Sequence, residues 1–496
     1  MNKRISQFVG AVLLCIGLAS CSSDGEKIAQ LHSEEDIVGL TVATAAGSCY
    51  DLELSKRSDI DLLLFNKEAD LLNSLLTGQS DVIVHDETVF NSEIRRDYGI
   101  KIAFKGEQEF PTAIMFRKDR EGEQLALAMN TVQNDLLENG TMQTLQDFWL
   151  TDAYLDNRTY RHVPVETEGK VLQVVCITNM APISFMIGDE WYGMEIDLIR
   201  ALSTYLHRPL EIKLYDASGM IALRNGMADI LIGGMFVTPE RQEEFIFADP
   251  YHDFHPAYYV LDKEAQAGTS TDFWERLKTS LHKNLIEEAR WKYITSGLLE
   301  TLKITLFAIL LGSVLGVGLC AMTRSRRTWV RKIAGFYNWF MAGIPILVLL
   351  LILFYVVFSR SGLHPATVAI IAFALDFAAG AGDIYNSSLN AVPHGQTEAG
   401  LALGFTRLQT FFHIVFPQAL RNGLPLYQSL CISLLKGTSI VGYIAIQDLT
   451  RAGDLIRSRT FDPFIPLLVI TVLYFLLAWL IAVLLKWAMP KNQHVL

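Results

Sequence analysis

Two charged side chains stand inside otherwise apolar stretches of this 496-residue sequence. Asp376 lies in residues 361–384, whose only other Asp, Glu, Lys or Arg is Asp383, and Lys436 is the lone charge of residues 422–446. An ion is costly in hydrocarbon, so such residues are usually functional. Asp376 could line a solute path and meet an ammonium group, or it could pair structurally with Lys436. Other chemistries lack their residues. The six cysteines show no metal-ligand spacing. Cys15 and Cys21 belong to an N-terminal apolar segment, and Cys320 and Cys431 to apolar stretches. Cys49 and Cys176 remain, a pair that could form one disulfide. No Gly-x-x-x-x-Gly-Lys-Ser/Thr phosphate loop occurs, so nucleotide hydrolysis would need another polypeptide.

The elements that position these residues follow from where charge is missing. The chain is 51% hydrophobic and 19% charged, with a net charge of −11 and a mean hydropathy of +0.26. Soluble domains carry about a quarter charged residues. Such a chain reads as a mosaic of membrane and acidic water-facing parts. The acidic balance argues against a nucleic-acid partner, and the apolar content against disorder. Residues 304–323, 333–359 and 464–485 hold no Asp, Glu, Lys or Arg. Each can cross a hydrocarbon core of about 30 Å. With 361–384 and 422–446 as weaker candidates, about five spans are predicted. The loop from Arg324 to Lys332 is short and basic, which places it in the cytoplasm and residues before the first span outside.

The N-terminus agrees. Met1-Asn2-Lys3-Arg4 precedes a short apolar run, and Leu18-Ala19-Ser20-Cys21 resembles a lipobox, with Cys21 the lipidated residue. A plain signal peptide or an uncleaved anchor would export the same residues. The exported part alternates strand-like and helix-like segments. Thr41–Ala43, Asp61–Phe65, Ser80–Val84, Leu172–Ile177, Leu210–Leu214 and Ala228–Gly233 read as strands. Ala69–Leu76, Met194–Leu206 and Ile221–Asn225 read as helices. This rhythm predicts two small doubly wound α/β lobes.

The stretch from Gly226 to Arg241, with Gly233-Gly234-Met235-Phe236-Val237-Thr238-Pro239-Glu240-Arg241 at its end, resembles the first-lobe signature of extracellular binding proteins for polar amino acids. Phe247-Ala248-Asp249-Pro250-Tyr251, Met180 to Phe185 and Gly193 to Leu198 fit it too. Gly39 to Gly47-Ser48, Leu75 to Asp86, and Asn139-Gly140-Thr141 before Trp149 resemble the second lobe. The order is reversed: residues 36–160 form the second-lobe half and residues 168–262 the first-lobe half. This implies either one circularly permuted two-lobed clamp of the periplasmic-binding-protein fold, or two degenerate half-domains that each rely on a partner chain.

An amino acid is a zwitterion; its carboxylate suits a guanidinium and its ammonium a carboxylate. By the resemblance, Arg241 takes the α-carboxylate and Asp86, on the opposite lobe, the α-ammonium. The Gly47 and Ser48 amides could add donors, and Gly234, Phe236 and Met180 complete the ligand site. Phe236 replaces a small hydroxyl residue of many relatives, and Met180 an aromatic one, which leaves a different zwitterion open as ligand.

Pro393 to Gly404, followed by Ile414-Val415-Phe416-Pro417-Gln418-Ala419, resembles the Glu-Ala-Ala loop of permeases of ABC importers for polar amino acids. The resemblance implies an all-α permease domain over residues 298–490. Its cytoplasmic loop would dock a separate ATPase through Glu398, Ala399, Gly400, Gly404 and Pro417, with small residues letting a short helix press into the partner. A second permease subunit, identical or not, would complete the pathway. The chain is thus divided into residues 1–21 (signal peptide with lipobox), 22–35 (tether), 36–160 and 168–262 (clamp halves), 263–297 (linker) and 298–490 (permease). Phe273 to Ile294 in the linker is amphipathic and is predicted to lie on the membrane surface or on the clamp. The expected function is a fused binding and pore subunit of an ATP-driven importer, not an enzyme, with no cofactor in this chain. A ligand-gated channel or a solute sensor using the same clamp is the alternative.

Overall fold

The computed structural model describes residues 31–156, 168–188, 190–215, 218–262, 273–359, 361–462 and 464–487. The signal-peptide segment with Cys21 lies outside them. In chain order the strands are β1 (Thr41–Ala45), β2 (Asp61–Phe65), β3 (Val82–Asp86), β4 (Ile100–Lys105), β5 (Phe110–Thr112), β6 (Met115–Arg117), β7 (Leu172–Cys176), β8 (Phe185–Ile187), β9 (Glu190–Tyr192), β10 (Leu210–Leu214), β11 (Ile230–Ile232), β12 (Phe245–Phe247), β13 (His252–Phe254) and β14 (Pro256–Leu261). The helices used below are α1 (Cys49–Leu54), α2 (Glu68–Leu76), α3 (Arg120–Glu138), α4 (Thr141–Trp149), α5 (Met194–Leu206), α6 (Trp291–Thr323), α7 (Pro365–Asn390), α8 (His394–Ala402), α9 (Phe416–Gly437), α10 (Leu449–Thr460) and α11 (Phe464–Trp487).

Two five-stranded sheets form two lobes, numbered here in chain order and so opposite to the numbering of the resembling family: the first is ordered β2-β1-β3-β14-β4 and the second β10-β7-β11-β6-β12. Their central strands β3 and β11 are buried throughout, as expected where both sheet faces are covered. The lobes exchange strands. β14 runs antiparallel between β3 and β4, and β6 runs antiparallel between β11 and β12. Residues 36–160 and 168–262 therefore each contribute to both lobes. Helices α3 and α4 follow β6 into the second lobe, where Trp149 Nε1 donates to Asp197 at 2.8 Å. The helix starts carry their expected caps: Ser48 accepts from Asp51 N and Asp119 from Gly122 N.

Helices α6, α7 and α11 are long and apolar enough to cross a membrane, and two bent pairs raise the count to as many as five. The expected 333–359 span is one of these pairs. Helices at Thr328–Gly343 and Ile346–Val357 meet at 104°. Pro345 caps the second of them, and Ile344 before it is extended, since a residue preceding proline is pushed out of the helical region. The other pair bends by 53° between Arg407–Ile444 and Leu449–Thr460. The first span starts at Trp291, well before Ile304. It meets α7 through Gly312 and Gly316, where an added Cβ would lie 2.9 Å from Ala374 O and 2.8 Å from Ala381 Cβ.

The linker is not one continuous helix. A helix at Phe273–Leu281 passes into a π turn at His282–Ile286 and a tight turn at Glu287–Ala289. In the π turn Lys283 Nζ meets Asp97 of the clamp at 2.7 Å. Asn284, fully buried, donates to Asp462 Oδ2 at 2.7 Å and accepts from Thr460 Oγ1 at 2.8 Å.

Candidate functional site

The two lobes meet around α1. Arg241 sits on the short helix Pro239–Glu244, whose start is fixed by the Thr238 cap and by Pro239 in its first turn. Its Nη1 donates to Phe236 O at 3.0 Å, and its Nη2 crosses to the opposite lobe to Gly47 O at 3.3 Å. Among the described residues no carboxylate lies within ion-pair distance of this guanidinium. Burial lowers its pKa.

Asp86 ends β3, buried. Its Oδ1 accepts from Thr88 Oγ1 at 3.0 Å, and its Oδ2 lies 3.2 Å from His85 Nδ1. Burial works against charge on the His85 ring, yet the Asp86 carboxylate outweighs it and raises the imidazole pKa. Cys49 senses both groups: burial raises its thiol pKa, Asp86 adds to this and Arg241 opposes it. The start of α1 thus lies within electrostatic reach of both the cation and the anion. Beside them the Tyr50 ring meets Phe110 at 5.2 Å and Phe236 at 5.6 Å, both edge-on, and its buried hydroxyl has no hydrogen-bond partner among the described residues.

The other expected ligand residues have local roles. Gly47, at φ +72°, donates its N–H to Asp51 at 2.8 Å, and Ser48 N and Oγ both donate to Ala45 O. Those amides are taken up by their own turn. Met180 is buried among apolar side chains of the first lobe. Gly234 N–H donates to Glu195, as does Gly233 N–H at 2.6 Å. Glu195 is fully buried and also accepts from Ser184 Oγ and from Tyr251 OH, each at 3.0 Å. Burial raises its pKa to about 7 against these donors. Glu195, His85 and Tyr50 escaped the sequence reading. His85 stood beside Asp86, but nothing local showed that Glu195 would gather four donors from three separate segments.

Cys49 and Cys176 are free and buried, so the disulfide does not form. They lie on different lobes. No cluster of metal-ligand residues occurs among the described residues.

In the membrane domain Asp376 is half-buried on α7 and Lys436 is exposed on α9, and no ion pair joins them among the described residues. Glu398 and Ala399 are exposed on α8. Gly400 faces inward instead: an added Cβ would lie 2.6 Å from Thr410 Cγ2 and 3.0 Å from Ile414 Cδ1. Its smallness permits this close packing within the chain. Gly404, at φ +84°, ends the helix in the left-handed region, and Pro417 stands in the first turn of α9. The surface that this turn presents is apolar, with Leu403 77%, Leu408 71% and Phe412 59% exposed. Sequence reading missed these three.

The membrane domain decides the family. Residues 308–493 match the family described as binding-protein-dependent transport system inner membrane component. The L-cystine transport system permease protein TcyB of Bacillus subtilis (strain 168) is 32% identical over 222 residues, 44% of this chain and 92% of that protein. The chain belongs to this family of transport-system permeases. The octopine transport system permease protein OccM of Rhizobium meliloti is 33% identical to the permease over 180 residues, 34% of this chain and 74% of that protein. A crystal structure of an amino acid ABC transporter with histidines is 29% identical, with a TM-score of 0.38, over 45% of this chain and all of that one. These relatives are transport subunits, not enzymes. The family is a multi-pass inner-membrane component, in keeping with the apolar helices.

Proposed function

We propose that the chain is the fused solute receptor and pore subunit of an ATP-driven importer, and that it captures a polar amino acid or a related small zwitterion. One observation carries the reading. In a chain whose second half is a transport permease, two lobes close a guanidinium without a carboxylate partner among the described residues and a buried carboxylate around α1. Arg241 then takes the α-carboxylate and Asp86 the α-ammonium. Ligand contact with both would draw the lobes together. The strand exchange between the lobes supports one clamp over two independent halves, and the position of the Thr238-Pro239-Glu240-Arg241 half makes that clamp circularly permuted. The basic loop at residues 324–332 supports a cytoplasmic location for that loop and an outer location for the clamp. The ATPase and a second permease subunit are separate polypeptides. The deciding experiment is uptake of labelled amino acids in membrane vesicles containing the chain and its ATPase. ATP-dependent accumulation of at least one of them is expected, and ligand binding without accumulation for the whole panel would favour a sensor.

The apolar turn after α8 is the docking surface for the ATPase. Replacing Leu403 by Asp puts a charge into that contact, and like other desolvated charges it should cost several kcal/mol. Leu403→Asp is expected to lose the ATPase in co-purification while the permease keeps its elution volume in detergent.

Protonation of His85 sets a pH dependence. The imidazolium pairs with Asp86 and repels the ligand ammonium. Its raised pKa places the loss of affinity at and above the ordinary histidine range, so binding weakens as pH falls through it. Calorimetry between pH 5.5 and 8.5 should show this, and His85→Asn should flatten the profile.

A further inference from the structure

Helix α10 lies between the clamp and the first span and touches both lobes. On the first-lobe side, Lys67 Nζ meets Asp454 Oδ1 at 2.7 Å, and Asp70, one turn on, pairs with Arg457. Tyr98 OH donates to Thr460 O at 2.7 Å, and Phe461 packs on Phe90 with ring centroids 5.3 Å apart. On the second-lobe side, Arg451 Nη2 donates to Tyr215 O at 2.8 Å, and the Arg459 guanidinium lies 4.4 Å from the centre of the Phe185 ring. The foot of the helix is fixed to α6. Leu449 N–H donates to Thr301 Oγ1 at 3.0 Å, and Gly297 lies so close that an added Cβ would stand 2.6 Å from Asp448 O.

We infer that α10 is a strap that holds the two lobes at one angle and ties that angle to the first span. A helix of twelve residues is a rigid rod about 18 Å long. Two bodies fastened to one rod cannot swing apart unless one set of contacts breaks or the rod moves. Hydrogen bonds near 2.8 Å are lost after a displacement of about 1 Å. The charges alternate along the contact: a cation of the clamp meets an anion of the strap, and one turn later an anion meets a cation. This fixes the register, because a slip of one turn would bring like charges together. A cavity of about 1350 Å³ opens beside the strap, lined by Ala46 and Lys67 of one lobe, Ser218 of the other, and Tyr355, Arg451 and Asp454 of the membrane domain. Strap movement would therefore reshape the space between clamp and pore.

The inference rests on the clamp reading above but is tested without ligand or ATPase. Dyes on non-natural residues at positions 52 and 205, exposed on opposite lobes, report the inter-lobe distance in the full chain in lipid nanodiscs by single-molecule energy transfer. Asp454→Lys should lower the ratio of the native-distance to the longer-distance population by about tenfold. The charge swap Lys67→Asp with Asp454→Lys should restore it. A second swap, Asp70→Arg with Arg457→Glu, is run alongside. An unchanged distribution in Asp454→Lys, or failure of both swaps to restore the distance relative to their single variants, would overturn the strap. The clamp reading fails separately, if no amino acid changes the distribution of the unsubstituted chain.

Discussion

Replacing Arg241 by alanine is expected to weaken amino-acid binding by at least about 30-fold, the equivalent of about 2 kcal/mol. The guanidinium reaches from Phe236 O to Gly47 O across the lobes. Carbonyl partners leave its charge uncompensated, whereas a carboxylate would supply charge-assisted, bidentate bonds. Lysine keeps the charge but loses the planar fork, so Arg241→Lys should retain part of the affinity and alanine little. Titration calorimetry on the full chain in detergent, with the amino acid that gives the strongest uptake, measures the difference. Equal affinity in wild type and Arg241→Ala would remove Arg241 from the site and with it the assigned ligand pose.

The second large effect concerns Glu195. Its carboxyl group accepts from two backbone amides and two hydroxyls in a fully buried position. Alanine would orphan all four donors. At about 1–3 kcal/mol each, with partial relaxation, a loss of several kcal/mol in local stability is expected. The pH dependence has a definite sign. Burial raises the folded-state pKa from 4.5 to about 7, so the folded clamp holds a proton that the unfolded chain has released across that interval. This contribution to stability is full below pH 4.5 and falls as pH rises to about 7, by about 3 kcal/mol at 1.36 kcal/mol per pH unit. Hydrogen exchange at Gly233 and Gly234, corrected for intrinsic rates, should show faster opening at pH 7.5 than at pH 5. Glu195→Gln should abolish that slope, and a slope that survives would assign it to another group.

Much of the architecture was legible before any coordinates. Charge-free stretches marked α6 and α11, because hydrocarbon tolerates no exposed charge and needs about 20 residues to cross. The strands at Asp61–Phe65 and Leu210–Leu214 and the helix at Met194–Leu206 stand where alternation and helical spacing placed them. The bend at Pro345 could have been read from the proline, but the unbroken apolar run around it masked the break. The inward packing of Gly400 was not legible, because a small side chain says that it packs closely, but not against what.

The amino-acid sequence by itself determined the local elements, the membrane segments and the candidate ion-binding side chains, since periodicity, charge and residue type act over a few residues. Tertiary structure alone decided that β6 and β14 change lobes, that Glu195 gathers donors from three segments, and that α10 grips both lobes. Those contacts join residues up to several hundred positions apart, as in the bond from Tyr98 to Thr460. No local pattern encodes such a pairing, because its energy exists only once the chain has brought the partners together.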